Sequence, residues 1–128
     1  MSNSDRAVHT ALITGASVGI GREIGRVCAG RGHNVVLVAR NEAQLSALAD
    51  ELSGRHGVRA EVLPKDLSTP TASHEIVDEL ARRGILIDIL VNNAGFGTHG
   101  LFWETDPART TALVQVNVAA LTELTRRL

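Results

Sequence analysis

Apolar residues along this chain alternate between two spacings. Residues 8–14 form a short apolar run that stops at Gly15, the pattern of a buried strand. Ile20, Ile24, Val27 and Cys28 then recur at helical spacing, and Gly32 stands where that helix can end. Asn34–Ala39 (NVVLVA) is nearly continuous and β-branched, as expected of a strand covered on both faces. Asn41 followed three residues later by Gln44 resembles a capping box, and Leu45, Leu48, Ala49 and Leu52 share one helical face after it. Residues 58–63 alternate like a half-exposed edge strand. Thr69-Pro70 offers a cap and a first-turn proline; Ile76, Val77 and Leu80 make the next stripe, and Gly84 closes it. Residues 86–91 (LIDILV) predict a fourth strand, and Asp106-Pro107 opens a last helix expected to run through Leu128.

The order is βαβαβαβα. Such alternation implies an α/β fold with parallel strands, right-handed crossovers and helices on both faces. No repeat, low-complexity tract or linker interrupts it, so residues 1–128 are expected to form a single domain or part of one.

Composition narrows the classes. The chain has 128 residues, 44% hydrophobic and 21% charged, which disfavours global disorder. A formal charge of −1 argues against a nucleic-acid binder that depends on phosphate contacts. Cys28 is the only cysteine, and the histidines at 9, 33, 56, 74 and 99 make no metal-ligand spacing, so neither a disulfide nor a metal site is expected. The polar start and the lack of any stretch near the ~20 apolar residues of a membrane span point to a cytoplasmic, reducing setting and no membrane partner. No G-x-S-x-G elbow suggests a serine hydrolase. The chain has no tyrosine, and Lys65 is its only lysine.

The candidate chemistry begins at Thr14-Gly15-Ala16-Ser17-Val18-Gly19-Ile20-Gly21, between the first strand and the first helix. A helix N-terminus offers unpaired N–H groups and the positive end of the helix dipole, and glycines let a pyrophosphate approach the backbone. The spacing G-x3-G-x-G departs from both the G-x-G-x-x-G fingerprint and the P-loop. Asp66-Leu67 follows the third strand, Asn92-Asn93-Ala94-Gly95 follows the fourth, and Asn117 lies in the last helix.

That set, in that order, resembles the short-chain dehydrogenase/reductase family. The likeness covers essentially the whole chain but only the first half of such an enzyme. It implies a Rossmann-like parallel sheet of strand order 3-2-1-4, a nicotinamide dinucleotide, and hydride transfer between an alcohol and a carbonyl. By the resemblance, Gly15, Ser17, Gly19, Ile20 and Gly21 line the pyrophosphate, Asp66 accepts a bond from the adenine amino group beside Leu67, and Asn93, Ala94 and Gly95 frame the adenosine. The slot for an acid that would read a free ribose hydroxyl holds Ala39, and Arg40 follows it. A guanidinium can grip a 2′-phosphate that a carboxylate would repel, so NADP is expected over NAD.

The resemblance also marks Asn117 as the one catalytic position present, ordering a water in a proton relay. An asparagine on that apolar stripe, satisfied by neighbouring backbone, is the alternative. The family's catalytic serine, tyrosine and lysine match no residue here, so the 128-residue chain alone is expected to be inactive. A non-catalytic binding module and a half-enzyme completed by a second polypeptide stay open beside the oxidoreductase reading. Relatives of this kind assemble as homo-oligomers through long helices. The fourth strand, apolar and at the sheet edge, predicts association there. Phe96, Phe102 and Trp103 either shape an apolar substrate mouth or, as the simpler expectation, pack locally.

Overall fold

The computed structural model describes residues 7–128. Four parallel strands, β1 (Thr10–Thr14), β2 (Asn34–Ala39), β3 (Ala60–Pro64) and β4 (Ile89–Val91), lie in the order β3-β2-β1-β4. Leu12 pairs with Val36 on one side and Leu90 on the other, and the β2–β3 ladder runs to Ala39 opposite Pro64. The helices are α1 (Gly19–Gly30), α2 (Glu42–His56), α3 (Ala72–Arg83), α4 (Pro107–Val114) and α5 (Leu121–Arg127).

Strand alternation sorts the core into two layers. Ala11, Ile13, Val35 and Leu37 face α1 and α2, whereas Leu12, Val36, Val38 and Leu63 face α3 and α5. Val35, Val36, Leu37 and Val38 are all fully buried, which is why β2 reads as an unbroken apolar run. Each such side chain contributes about 1.5–3 kcal/mol by leaving water. Arg26 ties the first layer together through two 2.9 Å bonds to the Glu51 carboxylate on α2.

Three boundaries differ from the sequence pattern. The first is the start of α3, which lies at Ala72 rather than at Pro70. Asp66 organises the preceding turn, accepting from the Ser68 N–H at 3.0 Å and the Ser68 hydroxyl at 2.7 Å, and Thr71 rather than Thr69 flanks the helix. The second is β4, which spans only Ile89–Val91. Gly84 closes α3 in the left-handed conformation, the Asp88 carboxylate takes the Thr10 N–H at 2.8 Å, and Leu86 is left in solvent. The third is the last helix, which is interrupted between α4 and α5 by a π-helical stretch, Gln115–Ala120.

The helices of both layers leave apolar side chains exposed. On α1 Ile20 and Val27 are exposed and Ile24 beside them is partly buried against the first layer. Across the sheet Val114, Val118 and Leu121 are exposed.

Candidate active site

The site is built around the turn between β1 and α1. Gly15 and Gly19 have φ of 65° and 58°, conformations that favour glycine. Their surroundings differ. A Cβ on Gly15 would stand 2.8 Å from Asn93 Nδ2, and one on Gly21 would stand 2.5 Å from the same atom and against the Gly15 carbonyl. A Cβ on Gly19 would meet nothing within 4 Å. Gly15 and Gly21 are therefore glycines for packing, and Gly19 is the one that opens to solvent.

The start of α1 is electrostatically unfilled. Its cap residue, Val18, has no side-chain acceptor, and no acidic residue lies in the first turn. The first backbone bond into the helix is Arg22 N–H to the Val18 carbonyl at 3.4 Å, which leaves the earlier N–H groups without helical acceptors. Free donors, the positive dipole end and an open Gly19 make a cradle for an anionic group. That chemistry fits the pyrophosphate of a dinucleotide.

Thr14 and Asn93 fix the turn. The buried Thr14 hydroxyl accepts from the N–H groups of Asn93 and Ala94 at 3.0 and 2.9 Å and donates to the Val91 carbonyl at 3.4 Å. Asn93 Nδ2 donates to the carbonyls of Thr14 and Gly15 at 3.0 and 3.3 Å. Asn92 reaches instead to Thr125 Oγ1 on α5 at 2.9 Å. Thr14 is an anchor that the residue pattern did not single out; its signal is a buried hydroxyl at the strand end directly before the glycine.

At the tip of β2 and β3, Arg40 is exposed and Ala39 is half-buried. Asp66 is exposed, with its carboxyl held below the usual carboxylate range, first by the Ser68 hydroxyl, then by the Ser68 N–H, with Arg40 adding attraction. One of its oxygens is thus committed to its own turn. The Leu67 side chain is buried in the α3–α5 layer, so only its backbone is free to line a ligand. Ala94 packs against the same layer, and Ser17 is half-buried beside the glycines.

Asn117 sits within the π-helical stretch. Its Oδ1 accepts from the Phe96 N–H at 3.1 Å and its Nδ2 donates to the Phe96 carbonyl at 2.8 Å. A Cβ on Gly95 would lie 3.0 Å from the same Oδ1. The side chain is therefore satisfied by backbone and pins the segment after Asn93-Ala94-Gly95. The π widening is a feature often found at functional sites, and it has no signature in residue type.

The structure gathers the expected residues at the carboxyl ends of the strands, where open α/β sheets bind ligands. Gly15, Gly21, Asn93 and Ala94 form one cluster, with Gly95, Phe96 and Asn117 directly beyond it; Arg40 and Asp66 lie at the β2–β3 tip. The aromatics correct the packing expectation. Phe102 and Trp103 are each 77% exposed on a short 3-10 turn, Phe102–Glu104, whereas Phe96 carries the Arg109 guanidinium 5.1 Å above its ring.

Comparison with known proteins agrees with this geometry. The short chain dehydrogenase family matches residues 9–128. The uncharacterized oxidoreductase YmfI of Bacillus subtilis (strain 168) is 39% identical over 120 residues, 93% of this chain and 48% of that protein. An NADPH-dependent pterin aldehyde reductase of Arabidopsis thaliana is 32% identical over 98% of this chain and 51% of its own length. Among solved structures, a short-chain dehydrogenase from Sphingobium yanoikuyae in complex with NADPH is 40% identical with a TM-score of 0.87, covering 94% of this chain and 46% of that one. The chain thus spans about half the length of these relatives. Sheet order, glycine turn and sequence likeness together place it in the short-chain dehydrogenase family.

Proposed function

We propose that this chain is the cofactor-binding half of an NADP-preferring oxidoreductase that moves hydride between a nicotinamide and an alcohol or carbonyl. The observation that carries the reading is the unfilled start of α1, open at Gly19, at the same carboxyl end of the sheet as an exposed Arg40. Gly15, Ser17, Gly19, Ile20 and Gly21 hold the pyrophosphate side. Arg40 grips the 2′-phosphate, and Asp66, Leu67, Asn93, Ala94 and Gly95 frame the adenosine. When bound, the nicotinamide supplies the hydride chemistry. Asn117 belongs to the catalytic end, where its side chain fixes the Phe96 segment. The matched Sphingobium structure holds NADPH and another matched short-chain oxidoreductase holds NADP, which supports the cofactor preference.

Proton transfer by a tyrosine has no donor here, since the chain contains none. The isolated 128-residue chain therefore binds cofactor without turnover. The test is a titration of NADPH against NADH, read by the quenching of Trp103, the single tryptophan. NADPH binds more tightly in the wild type, and Arg40→Asp reverses the order; an unchanged preference defeats the arginine argument.

One observation favours a second reading, a half-enzyme completed by another polypeptide. β4 is the outermost strand of the described sheet and Ile89 on it is exposed, so strand pairing and apolar contact are offered there. Co-purification with a polypeptide carrying the missing serine, tyrosine and lysine supports that reading.

A further inference from the structure

We infer that Lys65 is a second reader of the 2′-phosphate, forming with Arg40 a cross-strand pair of cations at the tip of β2 and β3. The inference rests on the dinucleotide reading above and adds a specificity residue to it.

The register carries the argument. Ala39 pairs with Pro64 at the last rung of the parallel β2–β3 ladder. The Lys65 N–H donates to the Ala39 carbonyl at 2.9 Å, the bond that closes that rung, so Arg40 and Lys65 are the residues that follow it on the two strands. Partners in a parallel ladder share a face, and adjacent strands are about 4.8 Å apart. Val38 and Leu63, the paired residues one step earlier, both pack into the α3 layer, so the alternation directs the positions after the rung to that side. Lys65 Nζ indeed reaches Glu75 on α3.

Two cations side by side repel unless an anion comes between them. A phosphate monoester carries more than one negative charge near neutrality, beyond what one guanidinium neutralises. Arg40 supplies a fork of N–H donors and Lys65 a mobile point charge. The acids nearby leave Lys65 available. Asp66 is bonded twice to Ser68, and Glu75 also accepts from the Thr71 hydroxyl at 2.9 Å through its other oxygen. The Lys65–Glu75 contact, 3.4 Å and largely solvated on the Glu75 side, is of the kind that contributes little. Lys65 can therefore exchange Glu75 for a phosphate at small cost.

The experiment titrates the full chain with NADPH, NADH, adenosine 2′,5′-bisphosphate and adenosine 5′-monophosphate by calorimetry. The expected result for Lys65→Gln is roughly tenfold weaker binding of the two 2′-phosphorylated probes, the loss of one charge-assisted contact, with NADH and the monophosphate unchanged. Lys65→Arg keeps the preference, and Glu75→Gln, which releases Lys65, tightens the 2′-phosphorylated probes. Circular dichroism verifies that each variant is folded. Equal weakening of all four probes by Lys65→Gln, or no weakening of any, overturns the role of Lys65 while NADPH binding by the wild type preserves the cofactor reading. A wild-type chain that binds neither dinucleotide overturns both.

Discussion

Asn93 donates twice to Thr14: its backbone N–H to the Thr14 hydroxyl at 3.0 Å, and its side-chain amide to the Thr14 carbonyl at 3.0 Å. The strand end before the glycine turn and the strand end before the NNAG segment are thus locked together. Thr14→Val keeps the shape but removes the hydroxyl, leaving the N–H groups of Asn93 and Ala94 without their acceptor. Unsatisfied groups of this kind cost about 1–3 kcal/mol each. A loss of roughly 2–4 kcal/mol on urea unfolding is expected for Thr14→Val, with Thr14→Ser near wild type. A valine variant as stable as the parent shows that the hydroxyl is not an anchor.

The glycines of the turn separate by the same logic. Gly21→Ala places a methyl against the Gly15 carbonyl and Asn93, both part of the locked turn, so the turn must shift. Gly19→Ala meets no atom within 4 Å and carries only the strain of a left-handed φ, about 1–2 kcal/mol. Gly21→Ala is expected to be the more destabilising variant in thermal melts, and Gly19→Ala to fold but bind NADPH more weakly.

How much of this was legible in the sequence depends on where the governing contacts lie. Strand identity was legible, because β2 is buried on both faces and shows it as NVVLVA. The strand order followed from the family likeness and agrees with the ladder. Boundaries were not legible where a single side chain resets the backbone: Asp66 holds a turn that delays α3, and Asp88 binds Thr10 just before β4. At Asn117 the stripe position was visible, but its partner Phe96 is distant in sequence and the π widening leaves no mark in composition. Phe102 and Trp103 misled because apolar type predicts burial, and these two are exposed.

Asn117→Ala removes both bonds to Phe96 and leaves that residue's N–H and carbonyl half-buried without these partners. Hydrogen exchange at the Phe96 amide is expected to accelerate roughly tenfold or more, the equivalent of about 1–3 kcal/mol, while amides in β2 exchange as before. Unaltered exchange at Phe96 shows that the π-helical stretch holds the segment by other means.

The Asp66 turn gives a pH dependence with a definite sign. Its folded carboxyl lies below the ordinary value, chiefly because the ionised form accepts the Ser68 hydroxyl and N–H. The stabilisation is complete above the unfolded value of about 3.9 and is lost as pH falls through the lower folded value. The Ser68 amide resonance is expected to hold its position at neutral pH and to move only in that acidic window. Asp66→Asn, which keeps an acceptor without the titration, flattens the profile; a Ser68 shift centred near neutrality contradicts the assignment.

The edge of β4 sets the last expectation. Soluble proteins cover or charge such edges, often with lysine, and here the outermost strand is Ile89-Leu90-Val91 with Ile89 exposed. Ile20 and Val27 on α1 and Val114, Val118 and Leu121 across the sheet are exposed as well, so apolar surface is available to an associating chain. The chain as given is expected to sediment as species larger than one chain, with the fraction rising with concentration. Ile89→Lys puts a charge on the unpaired strand and shifts the distribution toward the monomer, whereas Val8→Lys, an equally apolar exposed position before β1, leaves it unchanged. A wild-type chain that stays monomeric at every concentration removes β4 as the contact.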